Sequence, residues 1–85
     1  MPTKTITADE LAAGVRLAAL LSDSGLVKSR GEAKRLIQQG GLRLWDERIT
    51  DMDRALTADD FRELEGERAA VVRAGKGKVL KVALQ

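Results

Sequence analysis

KSRGEAKRLIQQGGLRLWDERITD, residues 28–51, decides the fold. It holds six cations, a glycine pair and two short apolar runs. Ser29 and Glu32 have the spacing of a capping box, so a helix opens there, and Gly40 closes it, which gives a helix over roughly 30–39. Ala33, Leu36 and Ile37 fall on one side of that helix, while Arg30, Lys34, Arg35 and Gln38 occupy the opposite arc. One side is core and the other is a basic ridge. Gly31 lies in the solvent arc, where glycine costs about 1 kcal/mol relative to alanine. It either lets another backbone come close or is a neutral surface substitution. Beyond Gly40-Gly41, Leu42 and Leu44 alternate with Arg43 and Trp45, and Ile49 follows. This predicts a hairpin turning near Asp46 and Glu47, with its apolar face on the helices.

Working outward, Leu17, Leu20 and Leu21 recur at helical spacing between Val15 and Ser24, and Gly25 supplies a left-handed stop. Residues 1–14 read as a flexible N-terminal segment or linker, in which Thr7 and Glu10 cap a short turn. TADD at 57–60 repeats that device without making a structural repeat. Residues 51–67 read as an acidic connector with a helical turn around TADDFREL and with Phe61 and Leu64 pointing inward. AAVVRAGKGKVLKVALQ, from Ala69 to Gln85, reads as two strands joined at AGKG, with Leu80, Val82 and Leu84 alternating against Val79, Lys81 and Ala83. The expected fold is α+β, two packed helices followed by a small antiparallel sheet of hairpins. It covers residues 15–85, with a core motif at 15–51 and a C-terminal hairpin at 68–85.

An 85-residue chain has room for one small domain, which buries only about 60–65% of its unfolded surface. Without cysteine there is no disulfide framework, thiolate metal site or thiol nucleophile, and the cytoplasm is the expected compartment. Histidine is also absent, which removes the commonest general base and metal ligand. No catalytic residue and no metal site are assigned. No apolar run approaches the roughly 20 residues of a membrane span. The net charge of +2 conceals blocks of −1 over residues 1–27, +3 over 28–50, −5 over 51–67 and +5 over 68–85. Segregation of this kind builds a basic face able to attract an anionic polymer.

A helix N-terminus offers unpaired amides and a positive dipole end, so a phosphate near Ser29 would also meet Lys28 and Arg30. Lys34 and Arg35 extend the site along the helix, and Arg43 and Arg48 continue it onto the hairpin. Against this stands the ordinary role of surface cations, which is to solubilise a helix. Trp45 and Phe61 are the only aromatic residues, too few for a platform stacking several unpaired bases, so folded RNA suits the chain better than single strands. Trp45 either stacks on a nucleotide or packs against the last hairpin, with packing favoured by its large apolar area. Phe61 belongs to the core. AGKGK at 74–78 lacks the GxxxxGK[ST] spacing of a nucleotide loop. The carboxylates of 51–67 lack EF-hand spacing and read as a solvated acidic turn.

LAALLSDSGLVKSRGEAKRLIQQGGLRL, from Leu17 to Leu44, resembles the RNA-binding module named after the fourth small-subunit ribosomal protein, the S-four domain. The likeness covers about residues 15–51. With Thr50-Asp51, the acidic connector and VVRAGKGKVLKVAL at 71–84, it extends to the carboxy-terminal domain of bacterial tyrosyl-tRNA synthetases. That resemblance implies an RNA-binding appendage that follows a catalytic region and grips tRNA-Tyr, particularly its long variable arm. Met1 is then expected to be a start imposed on a longer protein. The positions carried over are Lys28, Ser29, Arg30, Lys34, Arg35 and Gln38, then Arg43, and further Arg73, Lys76 and Lys78. The implied partners are tRNA-Tyr and the catalytic part of the synthetase, with no membrane, and the isolated domain is expected to be a monomer. No cofactor is expected here, since ATP and tyrosine would bind the catalytic region.

Two departures matter. Trp45-Asp46 stands where the family often has Asn-Gly, and a tight type I′ turn needs positive φ at both positions, so the turn is expected to be remodelled or lengthened. The HIGH-type signature is missing along with histidine. Two other readings stay open: a free-standing ribosome-associated protein that binds rRNA, and a structural or protein-interaction appendage whose basic blocks only solubilise it. The RNA readings require cations from separate parts of the chain to gather on one side of the molecule.

Overall fold

The elements run β1 (Thr3–Ile6), α1 (Ala8–Ala13), α2 (Leu17–Asp23), α3 (Arg30–Gln38), β2 (Leu42–Leu44), β3 (Glu47–Ile49), a 3-10 turn (Ala58–Asp60), β4 (Arg62–Leu64), β5 (Glu67–Ala74) and β6 (Lys78–Leu84). They come from a computed structural model, which describes residues 2–75 and 77–85. The architecture is α+β, as expected. Helix α3 begins and ends where its local signals lie, and α2 ends at its glycine stop. The start of α2 has no side-chain cap at Arg16 and is fixed by the Leu17 amide donating to the Arg54 carbonyl at 3.0 Å. Ser29 accepts the amide of Glu32 at 3.1 Å to start α3. Each helix closes by the same pair of bonds, Gly25 N to Ser22 O with Leu26 N to Leu21 O, and Gly40 N to Ile37 O with Gly41 N to Leu36 O. Gly25 and Gly40 take φ of 81° and 77°, the left-handed conformation this closure needs.

The sheet order is β1-β6-β5-β2-β3, and β4 pairs with the N-terminal half of β5, on the same edge that β2 occupies further along. Leu42, Leu44, Ile49, Ala70, Val72, Ala74, Leu80 and Val82 face the helices and share one core with Leu17, Leu21, Ala33 and Ile37. Fully burying each large aliphatic side chain contributes about 1.5–3 kcal/mol relative to exposure, so this face holds the two layers together. Residues alternating with it, among them Arg43, Arg48 and Arg73, lie on the outer face.

Four expectations are corrected. Residues 3–13 are not a mobile lead-in. β1 pairs parallel with β6, Ile6 is 2% exposed, and α1 starts from a complete capping box of Thr7 and Glu10. The sheet is therefore mixed and not antiparallel throughout. Residues 62–64 are extended, because Glu65 and Gly66 take φ of 53° and 86° and form a two-residue hairpin turn onto β5. Only the 3-10 turn remains of the helical turn, closed by Thr57 and Asp60. Lastly, the β2–β3 turn is not lengthened, since it keeps two residues, Trp45 and Asp46; it is remodelled from type I′, because Asp46 does not take a positive φ while Trp45 takes φ of 57°. Its indole Nε1 donates to the Asp60 carbonyl at 2.8 Å and its amide to the Val71 carbonyl at 2.8 Å, so tertiary bonds hold a conformation that tryptophan disfavours in isolation.

Candidate nucleic-acid interface

The capped start of α3 sets out the first group of cations. Lys28, Ser29, Arg30, Lys34, Arg35 and Gln38 are all exposed, while Ala33 and Ile37 are fully buried on the opposite side. Leu36 is half-buried. Ser29 Oγ and Ser29 O are taken by the amides of Glu32 and Ala33, which leaves the amides of Arg30 and Gly31 turned outward at the positive end of the helix. A Cβ built on Gly31 would meet only Ser29 Oγ, at 3.8 Å, so nothing within the domain requires glycine there.

Lys78 joins this group from β6. Its Nζ donates to the Leu26 carbonyl at 3.2 Å, across the connector between α2 and α3. With Arg35, Glu32 and Gln39 it borders a groove of about 380 Å³ floored by Val27 and Leu36. The ridge and the start of the last strand therefore lie side by side, although 38 and 78 are far apart in sequence.

Arg43 and Arg73 do not join them. They sit opposite one another on β2 and β5, on the outer face of the sheet, and Arg48 faces Arg43 from β3. The expectation of a single cationic side is thus corrected to two groups, because strand alternation sends positions 43 and 73 away from the helices while Lys78 shares the register and side of Ala74. The groups meet at the junction of α3 and β2. There the Arg48 side chain lies against Gly40, its Cδ 3.3 Å from where a Cβ would be. Arg48 was legible as a hairpin cation, and its partnership with Arg43 follows once the two-residue turn fixes the register. Lys76 lies outside the described residues.

Trp45 packs. Its ring is half-buried, and the Arg62 guanidinium sits 4.7 Å from the ring centroid. The carboxylate beside it forms a site that sequence reasoning missed. Arg54 grips Asp60 with both terminal nitrogens, at 2.7 and 3.0 Å, and the Thr57 amide donates to the same carboxylate at 2.7 Å. Burial alone would raise the Asp60 pKa, but the hydrogen bonds from Arg54 and Thr57 outweigh it and hold it below the usual carboxylate value. The Arg54 guanidinium is raised in turn by its bond to Asp60. The pair anchors the connector and offers no chemistry. Among the described residues no helix is long and apolar enough to cross a membrane.

Residues 1–82 match the family described as the tyrosine--tRNA ligase SYY-like C-terminal domain. The chain belongs to that family. Similar curated proteins are the tyrosine--tRNA ligases of Caulobacter vibrioides, 48% identical over 96% of this chain and 19% of the relative, and of Acetivibrio thermocellus, 38% identical over 89% and 18%. The ligase of Clostridium tetani is 35% identical over 100% of this chain and 19% of its own length. This ligase C-terminal domain therefore spans about a fifth of the relatives it matches. The Arg30–Gln38 ridge and the Arg43–Arg73 pair are features of a domain that occurs joined to a much larger protein.

Proposed function

We propose that this domain is the tRNA-docking appendage of a tyrosyl-tRNA ligase, gripping tRNA-Tyr along its phosphate backbone with the long variable arm as the shape it selects. The observation that carries the reading is the α3 ridge, where cations from separate parts of the chain, α3 and the start of β6, gather on one side even though Arg43 and Arg73 do not join them. Arg30, Lys34 and Arg35 are exposed beside Lys78, and none of them belongs to an ion pair among the described residues. Cations left unanswered by the protein, next to a helix N-terminus with free amides, suit a run of phosphates. The scarcity of aromatic residues, together with the engagement of Trp45 by Arg62, favours recognition by shape over base stacking. In this reading catalysis, ATP and tyrosine belong to the part of the ligase outside this chain, and the domain works as a monomeric module in the cytoplasm.

Titration of labelled tRNA-Tyr tests it. With about four to six phosphates engaged, affinity falls by about a hundredfold or more as salt rises from about 50 to about 200 mM. K34A/R35A weakens binding with the thermal melt unchanged, and unchanged affinity in that variant removes the ridge from the reading. Competition by a tRNA without a long variable arm, and by rRNA fragments, decides between the tRNA partner and a ribosomal one.

A further inference from the structure

The outer face of the sheet carries cations of its own, and they divide by whether the protein answers them. Lys81 is paired with Glu67 across β5 and β6. Arg62 is committed to the Trp45 ring. Arg43 and Arg73 stand directly opposite each other, both exposed, and among the described residues neither has a carboxylate within ion-pair reach. Arg48 adds a third cation in the same row, opposite Arg43 on β3. Opposed side chains on neighbouring strands have Cβ atoms about 4.5–5.5 Å apart, where like charges are destabilising. Two such contacts in succession leave a row of exposed cations whose mutual repulsion an anion from outside would relieve.

We propose that Arg43, Arg73 and Arg48 form a second phosphate-contact surface, on the sheet face turned away from α3, so that a bound RNA is held by its sugar–phosphate backbone from two sides of the domain. The inference rests on the RNA-docking reading and adds a second track to it. With strands about 4.8 Å apart, the row from Arg48 through Arg43 to Arg73 is about 10 Å long. Each guanidinium presents a planar fork suited to a phosphate. The stem of Arg48 against Gly40 joins this row to the end of the α3 ridge, so the cationic path turns around the β3 edge. That continuity favours one polyanion following both surfaces.

The test is anisotropy of the 85-residue chain with a tRNA-Tyr transcript across a salt series, comparing R43Q/R73Q with K34A/R35A. R43Q/R73Q is expected to weaken binding by about tenfold or more and to lower the salt slope by about two, one for each lost phosphate contact. Its melting temperature stays equal to or rises above that of the parent, because a repulsion is removed, and R43K/R73K recovers most of the affinity. Ethylation interference on the RNA loses one patch of phosphates with R43Q/R73Q and a different patch with K34A/R35A. Parent-like affinity and slope in R43Q/R73Q, beside a weakened K34A/R35A, overturns the second surface alone. If neither pair weakens binding, the docking reading falls with it. Competition by polyglutamate of equal charge as strong as that by tRNA overturns an RNA surface in favour of an acidic-protein one.

Discussion

At the scale of single residues, the glycines of α3 show how one residue type serves unrelated needs. Gly40 is required for its φ of 77°. Gly41 serves close packing, since a Cβ there would lie 2.5 Å from Leu36 Cδ1, which would have to move, and 3.3 Å from the Leu36 carbonyl oxygen. The helix stop was legible because it follows from local geometry. The close approach was not, because it depends on where the Leu36 side chain lies. Gly31 has neither need, and in that position it weakens the helix by up to about 1 kcal/mol relative to alanine. Gly31→Ala is accordingly expected to raise the urea midpoint slightly. If an RNA backbone comes close at the start of α3, the same change lowers affinity for tRNA-Tyr several-fold. Gain in stability with loss of binding is the signature, and a gain in both places the RNA backbone elsewhere.

Among the elements, those set by short-range signals were read correctly and those set by partners were not. α3 carries both of its caps, and α2 its glycine stop and apolar spacing, within a few residues. β4 carries nothing comparable. Arg62 and Glu63 are exposed, Leu64 is half-buried, and the turn is Glu-Gly in place of the stronger Asn-Gly or Asp-Gly signal. Its strand state comes from pairing with β5. The connector before it is likewise fixed by a distant bond, the Arg54–Asp60 pair, which lies outside any regular element's hydrogen-bond pattern and whose six-residue separation matches no helical spacing. Since the folded Asp60 pKa lies below its ordinary 3.8, the pair's stabilisation is fully present above that value and is lost as pH falls through the lower folded value. Asp60→Asn is expected to cost about 1–3 kcal/mol at neutral pH. The difference between variant and parent should hold down to about pH 4 and shrink below it. Chemical denaturation at several pH values measures this, and a difference that stays constant into strong acid would mean that the carboxylate's charge is irrelevant.

For the molecule as a whole, the cationic residues were legible one by one and their arrangement was not, because the side of the sheet on which a strand residue emerges depends on register. Arg43, Arg73 and Lys78 look alike in the sequence, yet two face outward and one faces the helices. The same lesson governs β1, whose residues 3–6 pair with 81–84 at the far end of the chain, a partnership no local pattern announces. Removing residues 1–6 tests its weight. The deletion loses burial of Ile6 and the bonds from Lys81 N to Pro2 O and from Gln85 N to Ile6 O, both under 3 Å. Burial of the isoleucine contributes about 1.5–3 kcal/mol and each ladder bond about 1 kcal/mol. A loss of about 3 kcal/mol or more is expected, which at about 4–8 °C per kcal/mol lowers the melting temperature by more than about 10 °C. The deletion also opens the long β6 edge, so self-association should appear by sedimentation as concentration rises. If the domain docks tRNA-Tyr as proposed, then at low temperature, where the shortened chain remains folded, its affinity should match the parent, because Arg30, Lys34, Arg35, Arg43 and Arg73 all lie on elements that β1 does not pair with. A shortened chain that melts like the parent would return residues 1–6 to a loose lead-in, and one that stays folded but loses RNA would place β1 in the interface itself.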